Sequence, residues 1–408
     1  MTEEHTVVPL IEPREGIPPV IADAASLACV VDSFGAGTGP VAVDAERASG
    51  YRYGNRAYLV QLRRAGAGSA LIDPIACPDL SALDAAVSDA EIVLHAASQD
   101  LPCLLELGFK PRSMFDTELA GRLLGYERVG LGTMVETVLG LRLEKGHSAA
   151  DWSTRPLPEA WLRYAALDVE VLIELRDVLH RELTESGKLE WAQEEFDAVL
   201  HAPPPAPRSD PWRRTSGIHK VRSVRALAIV RELWTMRDHI ARDNDLAPGR
   251  VLSDAAIVTA ALEGPRTKKA LTEITAFTGR SARRYMNDWL AAVARARALP
   301  ESQLPQPGTQ GEGPPPANRW PDRDPAAAKR LAAARAVVTT LAEEHHMPTE
   351  NLLQPDAVRR LTWEPPAEIT DESVTDRLRG LGAREWQLSL TAHPIAKALA
   401  RLEPKDKD

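Results

Sequence analysis

The first 200 residues combine short apolar runs with longer stretches of helical periodicity. Apolar runs bounded by Gly, Pro or charged residues predict strands at residues 41–44, 58–62, 70–73 and 92–95. Apolar residues repeat three and four positions apart in the stretches that predict helices, residues 80–87, 98–107, 161–183 and 189–200, with Ser98 expected to cap the second. Three strands follow one another and the fourth comes after a helix, which favours an α/β fold with a mixed sheet flanked by helices.

The rest of the chain shows helical periodicity and no comparable strand pattern. Predicted helices cover residues 224–242, 253–262, 267–277 and 281–299 and pack as a small all-α bundle. A similar plan follows at residues 326–344, 356–361, 374–380, 384–390 and 395–402. Prolines divide these segments at residues 201–207 and again at residues 300–325, where 26 positions hold eight prolines and three glycines. We therefore predict domains at 1–200, 208–300 and 326–408, with a linker at 301–325.

Charge is distributed unevenly over these segments. The formal net charge is -9, but residues 203–300 hold 18 Lys+Arg and 9 Asp+Glu, so this segment is +9 and the remainder is -18. Its basic residues are candidates for tracking a phosphate backbone, although a merely soluble helical surface would have the same composition. The candidate nucleic-acid-binding residues are Lys220, Arg222, Arg225, Lys268, Lys269, Arg280, Arg283 and Arg284.

Targeting features are lacking in the sequence. No stretch approaches the roughly 18 to 20 uncharged apolar residues that a membrane helix needs, and the first residues are acidic where a signal peptide would be basic. We expect a cytoplasmic protein with no membrane partner. The sequence leaves the oligomeric state unknown.

Acidic residues follow two of the predicted strands. Asp44 and Glu46 end an apolar run, and side chains at i and i+2 of a strand face the same side, so a divalent cation would relieve their repulsion. A solvated strand end is the alternative. Asp100 lies near the start of the helix after strand 92–95, where capping alone would explain it. Tyr164 and Asp168 share one face of a helix, as a buried tyrosine and an ion-paired acid also would.

Taken together, these residues resemble the DEDD exonuclease superfamily in its tyrosine-bearing branch. The stretches Phe115-Asp-Thr-Glu118, Asp151-Trp-Ser-Thr-Arg-Pro-Leu157 and His95-Ala-Ala-Ser-Gln-Asp100 are similar to the ribonuclease D subgroup. Arg231-Glu-Leu-Trp-Thr-Met-Arg-Asp238 and Ala247-Pro-Gly-Arg-Val-Leu252 resemble the HRDC domain. The likeness spans about residues 18 to 300, and residues 326–408 are expected to form a degenerate second HRDC-like domain.

The resemblance implies a ribonuclease H-like fold and a 3′→5′ exoribonuclease. Asp44, Glu46, Asp100 and Asp168 would bind two Mg²⁺ or Mn²⁺ ions about 4 Å apart, and Tyr164 would orient the attacking water rather than deprotonate it. The products would be nucleoside 5′-monophosphates, and the substrates the 3′ ends of stable RNA, including tRNA precursors. One alternative is a DNA 3′→5′ exonuclease, because motifs do not reveal contacts to the 2′-OH. A second alternative is an RNA-binding scaffold whose exonuclease domain is vestigial.

Overall fold

A mixed sheet forms the centre of the N-terminal part of the chain. The structure is a computed structural model that describes residues 7–144, 146–204, 206–306 and 313–402. The strands are β1 (Val8–Leu10), β2 (Val20–Ile21), β3 (Thr38–Arg47), β4 (Ala57–Ala65), β5 (Gly68–Ile72), β6 (Ile92–Leu94), β7 (Met114–Asp116) and β8 (Leu141–Leu143). Six of them form one sheet in the order β2-β5-β4-β3-β6-β7, while β1 and β8 pair separately. Strand β4 is antiparallel to both neighbours, and the remaining pairs are parallel.

Helices flank this sheet, so the predicted α/β class is confirmed. They are α1 (Ala24–Ala36), α2 (Ser81–Ala86), α3 (Leu101–Glu106), α4 (Thr117–Leu124), α5 (Leu131–Leu139), α6 (Glu159–Glu170), α7 (Leu172–Glu185) and α8 (Leu189–Leu200). Helix α6 packs on β3, β4 and β5, and α7 packs on β3 and β6. The buried residues of the central strands, among them Val41, Val43, Leu62 and Val93, form the core between these layers.

Two local predictions in this part of the chain are wrong. The single helix expected at residues 161–183 is broken between α6 and α7 at Val171. Val171 and Leu172 are both buried, so the apolar stripe runs through the break and gives no sign of it. Ser98 does not cap a helix, because it lies in a 3₁₀ turn at Ala97–Gln99 and α3 begins only at Leu101.

A helical bundle follows and contacts the first part through one loop. Its helices are α9 (Val224–Asp243), α10 (Pro248–Val251), α11 (Asp254–Glu263), α12 (Lys268–Glu273), α13 (Arg280–Arg284) and α14 (Met286–Ala298). The loop between β3 and β4 reaches it: the Tyr53 hydroxyl donates to Asp238 over 2.9 Å, and the Ala247 N–H donates to the Tyr51 carbonyl over 2.9 Å. The Arg250 guanidinium lies 3.9 Å from the centre of the Tyr51 ring. This bundle therefore abuts the loop that follows Glu46.

The last part of the chain is also helical and packs on the sheet-containing part. Its helices are α15 (Trp320–Arg323), α16 (Pro325–Glu344), α17 (Thr349–Leu352), α18 (Pro355–Trp363), α19 (Asp371–Gly380) and α20 (Glu385–Ala400). The rings of Trp191 and Trp386 stack with centroids 5.0 Å apart, and the Lys188 ammonium donates to the carbonyls of Leu123 and His345, each over 2.6 Å. Among the described residues, no helix has the length and apolar content needed to cross a membrane.

The two helices predicted at residues 384–390 and 395–402 are one helix. Helix α20 runs through Pro394, which lacks an N–H and ordinarily ends or kinks a helix. Ile395 and Leu399 are fully buried on the far side of the proline. The burial of these two residues offsets the hydrogen bond lost at Pro394. The sequence prediction treats the proline only as a helix breaker.

Candidate active site

Strand β3 presents the first two acids of the candidate site. Its residues alternate between the two faces of the sheet, so Asp44 and Glu46 point to the same side. Asp44 is partly buried and Glu46 is only 8% exposed. On the neighbouring strand, Gln61 pairs opposite Asp44, and its side-chain amide donates to an Asp44 carboxylate oxygen over 2.9 Å. The two acids are thus fixed in direction by the strand and by one amide.

Helix α6 contributes the tyrosine and another acid. Tyr164 and Asp168 are four residues apart, so they project from one face of the helix, which brings the Tyr164 phenol near the Asp168 carboxylate. Burial raises the pKa of the Tyr164 phenol, and the charges of Asp168 and Glu46 raise it further. The phenol therefore stays protonated at neutral pH and acts as a hydrogen-bond donor.

Asp44, Glu46 and Asp168 meet above the sheet. One carboxylate oxygen from each lies within 4.8 Å of the others. Burial raises the pKa of Asp44 and of Asp168, and burial together with the charges of Asp44, Asp168 and Asp100 raises that of Glu46 to about 10. The raised pKa values show that the three carboxylates ionise with difficulty so close together. A divalent cation bound between them would favour their ionised form, because it neutralises their repulsion.

Asp100 borders this group but lies outside it. Its carboxylate is 4% exposed, and burial followed by the charge of Asp44 raises its pKa to about 8. One Asp100 oxygen has no hydrogen-bond partner among the described residues, and the Arg47 guanidinium lies 3.4 Å from it. The Asp100 side chain makes no capping hydrogen bond to α3, so the capping explanation does not hold. A buried carboxylate oxygen that accepts no hydrogen bond from the described part of the chain, and whose ion-pair contact with Arg47 is long, is available to coordinate a cation.

Arg47 and Gln61 are site neighbours that the sequence patterns did not single out. Arg47 donates to the carbonyl of Gln99 over 2.9 Å and to its side-chain oxygen over 3.3 Å, which ties β3 to the turn before Asp100. These contacts join residues more than 50 positions apart, so spacing within one element gives no sign of them. Gln61 did carry a signal, since it is a polar residue inside the apolar run of a buried strand.

The loop before α6 encloses Tyr164 with aromatic rings. The ring centroids of His147 and Trp152 lie 6.0 and 6.4 Å from that of Tyr164. Arg155 anchors the loop with a bidentate pair of hydrogen bonds to Asp73 at 2.7 and 2.8 Å and one to the Tyr58 carbonyl at 2.7 Å, and it also donates to the carbonyls of Trp152 and Thr154 within the loop. The stretch 151–157, noted above for its resemblance, is therefore fastened to the sheet on which Asp44 and Glu46 lie.

The candidate RNA-binding residues lie on the helical bundle, away from the acids in sequence and on several elements. Most are exposed: Lys220, Arg222, Lys268, Lys269, Arg280, Arg283 and Arg284. The last three share the short helix α13, and the two lysines begin α12. Arg225 differs, because its guanidinium donates to the carbonyls of Arg297 and Leu299 at the end of α14. These contacts join the start of α9 to the end of α14, so Arg225 contributes to the packing of the bundle.

Comparison with protein families assigns three regions of the chain. A 3′-5′ exonuclease model matches residues 20–184, an HRDC model matches residues 226–293, and a model described as a 3′ to 5′ exonuclease C-terminal domain matches residues 313–399. The last match covers the region expected to form a degenerate HRDC-like domain, and that expectation stays a prediction.

Individual proteins resemble the chain over most of its length. Ribonuclease D of Gluconacetobacter diazotrophicus is 31% identical over 341 residues, which are 81% of this chain and 82% of that protein. A crystal structure of a protein from Bifidobacterium adolescentis is 40% identical, with a TM-score of 0.89, and the match covers 96% of this chain and 99% of that one. The crystal structure of Escherichia coli RNase D is 28% identical, with a TM-score of 0.66, covering 89% and 98%.

Proposed function

Since the chain belongs to the ribonuclease D family of 3′→5′ exoribonucleases, we propose that it shortens RNA from the 3′ end by metal-dependent hydrolysis at Asp44, Glu46, Asp100 and Asp168. The observation that carries the proposal is the meeting of three carboxylates from β3 and α6 within 4.8 Å in a largely buried place. The exonuclease domain implies dependence on a divalent metal. We propose two ions, Mg²⁺ or Mn²⁺, with Asp100 as the fourth ligand.

The residues present fit such ions. Carboxylate oxygens are the ligands that Mg²⁺ prefers, and the raised pKa values of Glu46 and Asp100 reflect a site that is unfavourable without a cation. The Asp100 oxygen that accepts no hydrogen bond among the described residues gives the same indication from geometry. When bound, the ions would activate a water and stabilise the charge that develops on the leaving 3′ oxygen.

The chain's own residues account for the rest of the reaction. The Tyr164 hydroxyl is protonated and lies beside the acids, so it suits holding the attacking water in line with the scissile phosphodiester. Gln61 fixes Asp44, and Arg47 lies beside Asp100, where its charge favours the ionised, metal-binding form of that acid. The products expected are nucleoside 5′-monophosphates.

The substrate follows from family analogy and from the basic bundle. The E. coli relative is described as an exoribonuclease involved in structured RNA processing. We propose that this chain likewise trims the 3′ ends of structured RNA, including tRNA precursors, with the exposed basic residues of α12 and α13 contacting phosphates. The cytoplasmic location expected from the sequence stays a prediction.

The deciding experiment uses a 3′-tailed RNA and its DNA counterpart, each labelled at the 5′ end. They are incubated with the protein in Mn²⁺ or in EDTA, with the Asp44→Asn variant as the matched control. A ladder that shortens RNA from the 3′ end only with Mn²⁺ and wild-type protein supports the proposal. Shortening of DNA instead would point to a DNA exonuclease. RNA that is bound but never shortened would point to a vestigial scaffold.

A further inference from the structure

The turn that carries Asp100 has an unusual backbone. It follows β6, and Ala96 within it adopts the left-handed conformation with φ 60° and ψ 51°. A residue with a Cβ in that region costs roughly 1–2 kcal/mol relative to the ordinary helical region. The 3₁₀ turn Ala97–Gln99 follows and leads directly to Asp100. The direction of Asp100 therefore depends on whatever holds Ala96 in place.

The carboxylate of Asp116 holds this turn. Asp116 ends β7, lies beside Leu94 of β6 in the parallel pair, and is 2% exposed. One of its oxygens accepts the Ala96 N–H over 3.0 Å, and the other accepts the Ala97 N–H over 2.8 Å. Thr117 adds a second tie, because its hydroxyl donates to the Leu94 carbonyl over 3.2 Å. The turn is thus fastened to the neighbouring strand.

Only half of the Asp116 contacts are those of an ordinary helix cap. As the N-cap of α4, it accepts the N–H groups of Glu118 and Leu119 over 2.9 and 3.2 Å. The bonds to Ala96 and Ala97 contribute nothing to α4, since those residues belong to the preceding strand connection. They stabilise a strained turn that leads directly to Asp100.

We infer that Asp116 is a positioning residue of the metal site, which sets the place of Asp100 by holding Ala96 and Ala97 through its carboxylate. The inference rests on the proposed function, because it takes Asp100 to be a metal ligand. Partners of metal-ligating groups commonly change metal affinity or activity by roughly 10- to 100-fold when they are altered. We expect an effect of that size here.

The Asp116→Asn variant separates the two roles. Asparagine caps a helix about as well as aspartate, and its oxygen can keep the three N–H groups of Ala96, Glu118 and Leu119. Its NH₂ group then faces the Ala97 N–H, donor against donor. The matched control is Asp23→Asn at the N-cap of α1, where the carboxylate accepts the N–H groups of Ala25 and Ser26. A third variant combines Asp116→Asn with Ala96→Gly, because glycine adopts the left-handed conformation without a steric cost.

The measurement is Mn²⁺ binding to the full chain by calorimetry without RNA, together with kcat and KM for a single-stranded RNA. Asp116→Asn should weaken Mn²⁺ binding at least tenfold and lower kcat with little change in KM. The Ala96→Gly combination should restore part of the loss, and Asp23→Asn should leave binding unchanged. Equal Mn²⁺ affinity in wild type and Asp116→Asn would overturn the inference alone. Wild-type protein that binds no Mn²⁺, or binds it no better than Asp100→Asn does, would overturn the proposed metal site itself.

Discussion

Replacing Glu46 by glutamine should destroy activity and yet stabilise the metal-free protein. Glu46 lies among three other acids, and burial is the largest reason why its pKa rises from 4.5 to about 10. At pH 7 the folded, metal-free protein therefore keeps Glu46 protonated, whereas the unfolded chain ionises it. The proton taken up on folding is a cost that a glutamine avoids.

The size of the effect follows from that proton. Protonating a carboxyl about 2.5 pH units above its ordinary pKa costs about 3.4 kcal/mol, at roughly 1.4 kcal/mol per pH unit. The cost of about 3.4 kcal/mol at pH 7 is the same for any pKa of Glu46 in the folded state that lies well above 7. Because Glu46 is already uncharged in the folded state at pH 7, its replacement leaves the charges of its neighbours largely unchanged. The advantage should vanish below pH about 4.5, where both states are protonated, and grow as pH rises toward the folded pKa of about 10.

Thermal unfolding in EDTA tests this directly. With about 3 kcal/mol of added stability, the Glu46→Gln variant should melt several degrees above wild type at pH 7. Glu127→Gln, an exposed loop substitution, is the matched control and should not shift the midpoint. Added Mn²⁺ should stabilise wild type much more than Glu46→Gln and narrow or reverse the difference. A variant that melts at or below the wild-type temperature in EDTA would refute the reasoning.

Three further variants test other parts of the protein. Tyr164→Phe should lower kcat roughly 100-fold while RNA binding stays close to wild type, because only the orienting hydroxyl is lost; unchanged turnover would contradict the orienting role. Changing Lys268 and Lys269 to Gln should reduce the slope of log affinity against log salt for RNA by about 2. Changing the exposed Lys329 and Lys397 to Gln is the control and should leave that slope unchanged. If both double variants have the same slope, α12 is not part of the RNA-binding surface. Tyr53→Phe removes the hydroxyl bonds to Asp238 and Arg242, which hold the helical bundle against the loop after β3, and should raise KM for a structured RNA more than for a short one. The control is Tyr285→Phe, because the buried Tyr285 hydroxyl has no partner among the described residues. Equal effects of the two variants would argue that the position of the bundle does not matter for binding structured RNA.

Most of the acids could be placed from the sequence because each depends on the geometry of one element. Asp44 and Glu46 share a side through strand alternation, and Tyr164 and Asp168 share a face through helical periodicity. These relations are local and do not depend on the rest of the fold. The mixed sheet was predictable for a similar reason, since β3, β4, β5 and β6 are all long or apolar enough to show a pattern.

The contacts that position the acids could not be predicted, because they connect distant parts of the chain. Strand β7 is only three residues long, so no alternation marks it, yet it carries Asp116. Arg47 reaches Gln99, and Arg155 reaches Asp73, across loops whose paths the sequence does not reveal. The break at Val171 is hidden by continuous burial on both sides of it. Local periodicity therefore predicts which side chains share a direction but not what holds the loops between them.

The contacts between distant parts of the chain bear on whether the exonuclease domain is active or vestigial. Five acidic and tyrosine side chains alone do not make an active site, because Asp100 depends on a strained turn and Tyr164 lies under a long loop. The supports for both are present: Asp116 fastens the turn, and Arg155 fastens the loop with three hydrogen bonds to Asp73 and Tyr58. The bonds to Ala96 and Ala97 hold the start of the 3₁₀ turn, and through that turn they act on the position of Asp100. A chain that holds its reactive groups at that cost is built for catalysis, which agrees with its membership of an exoribonuclease family.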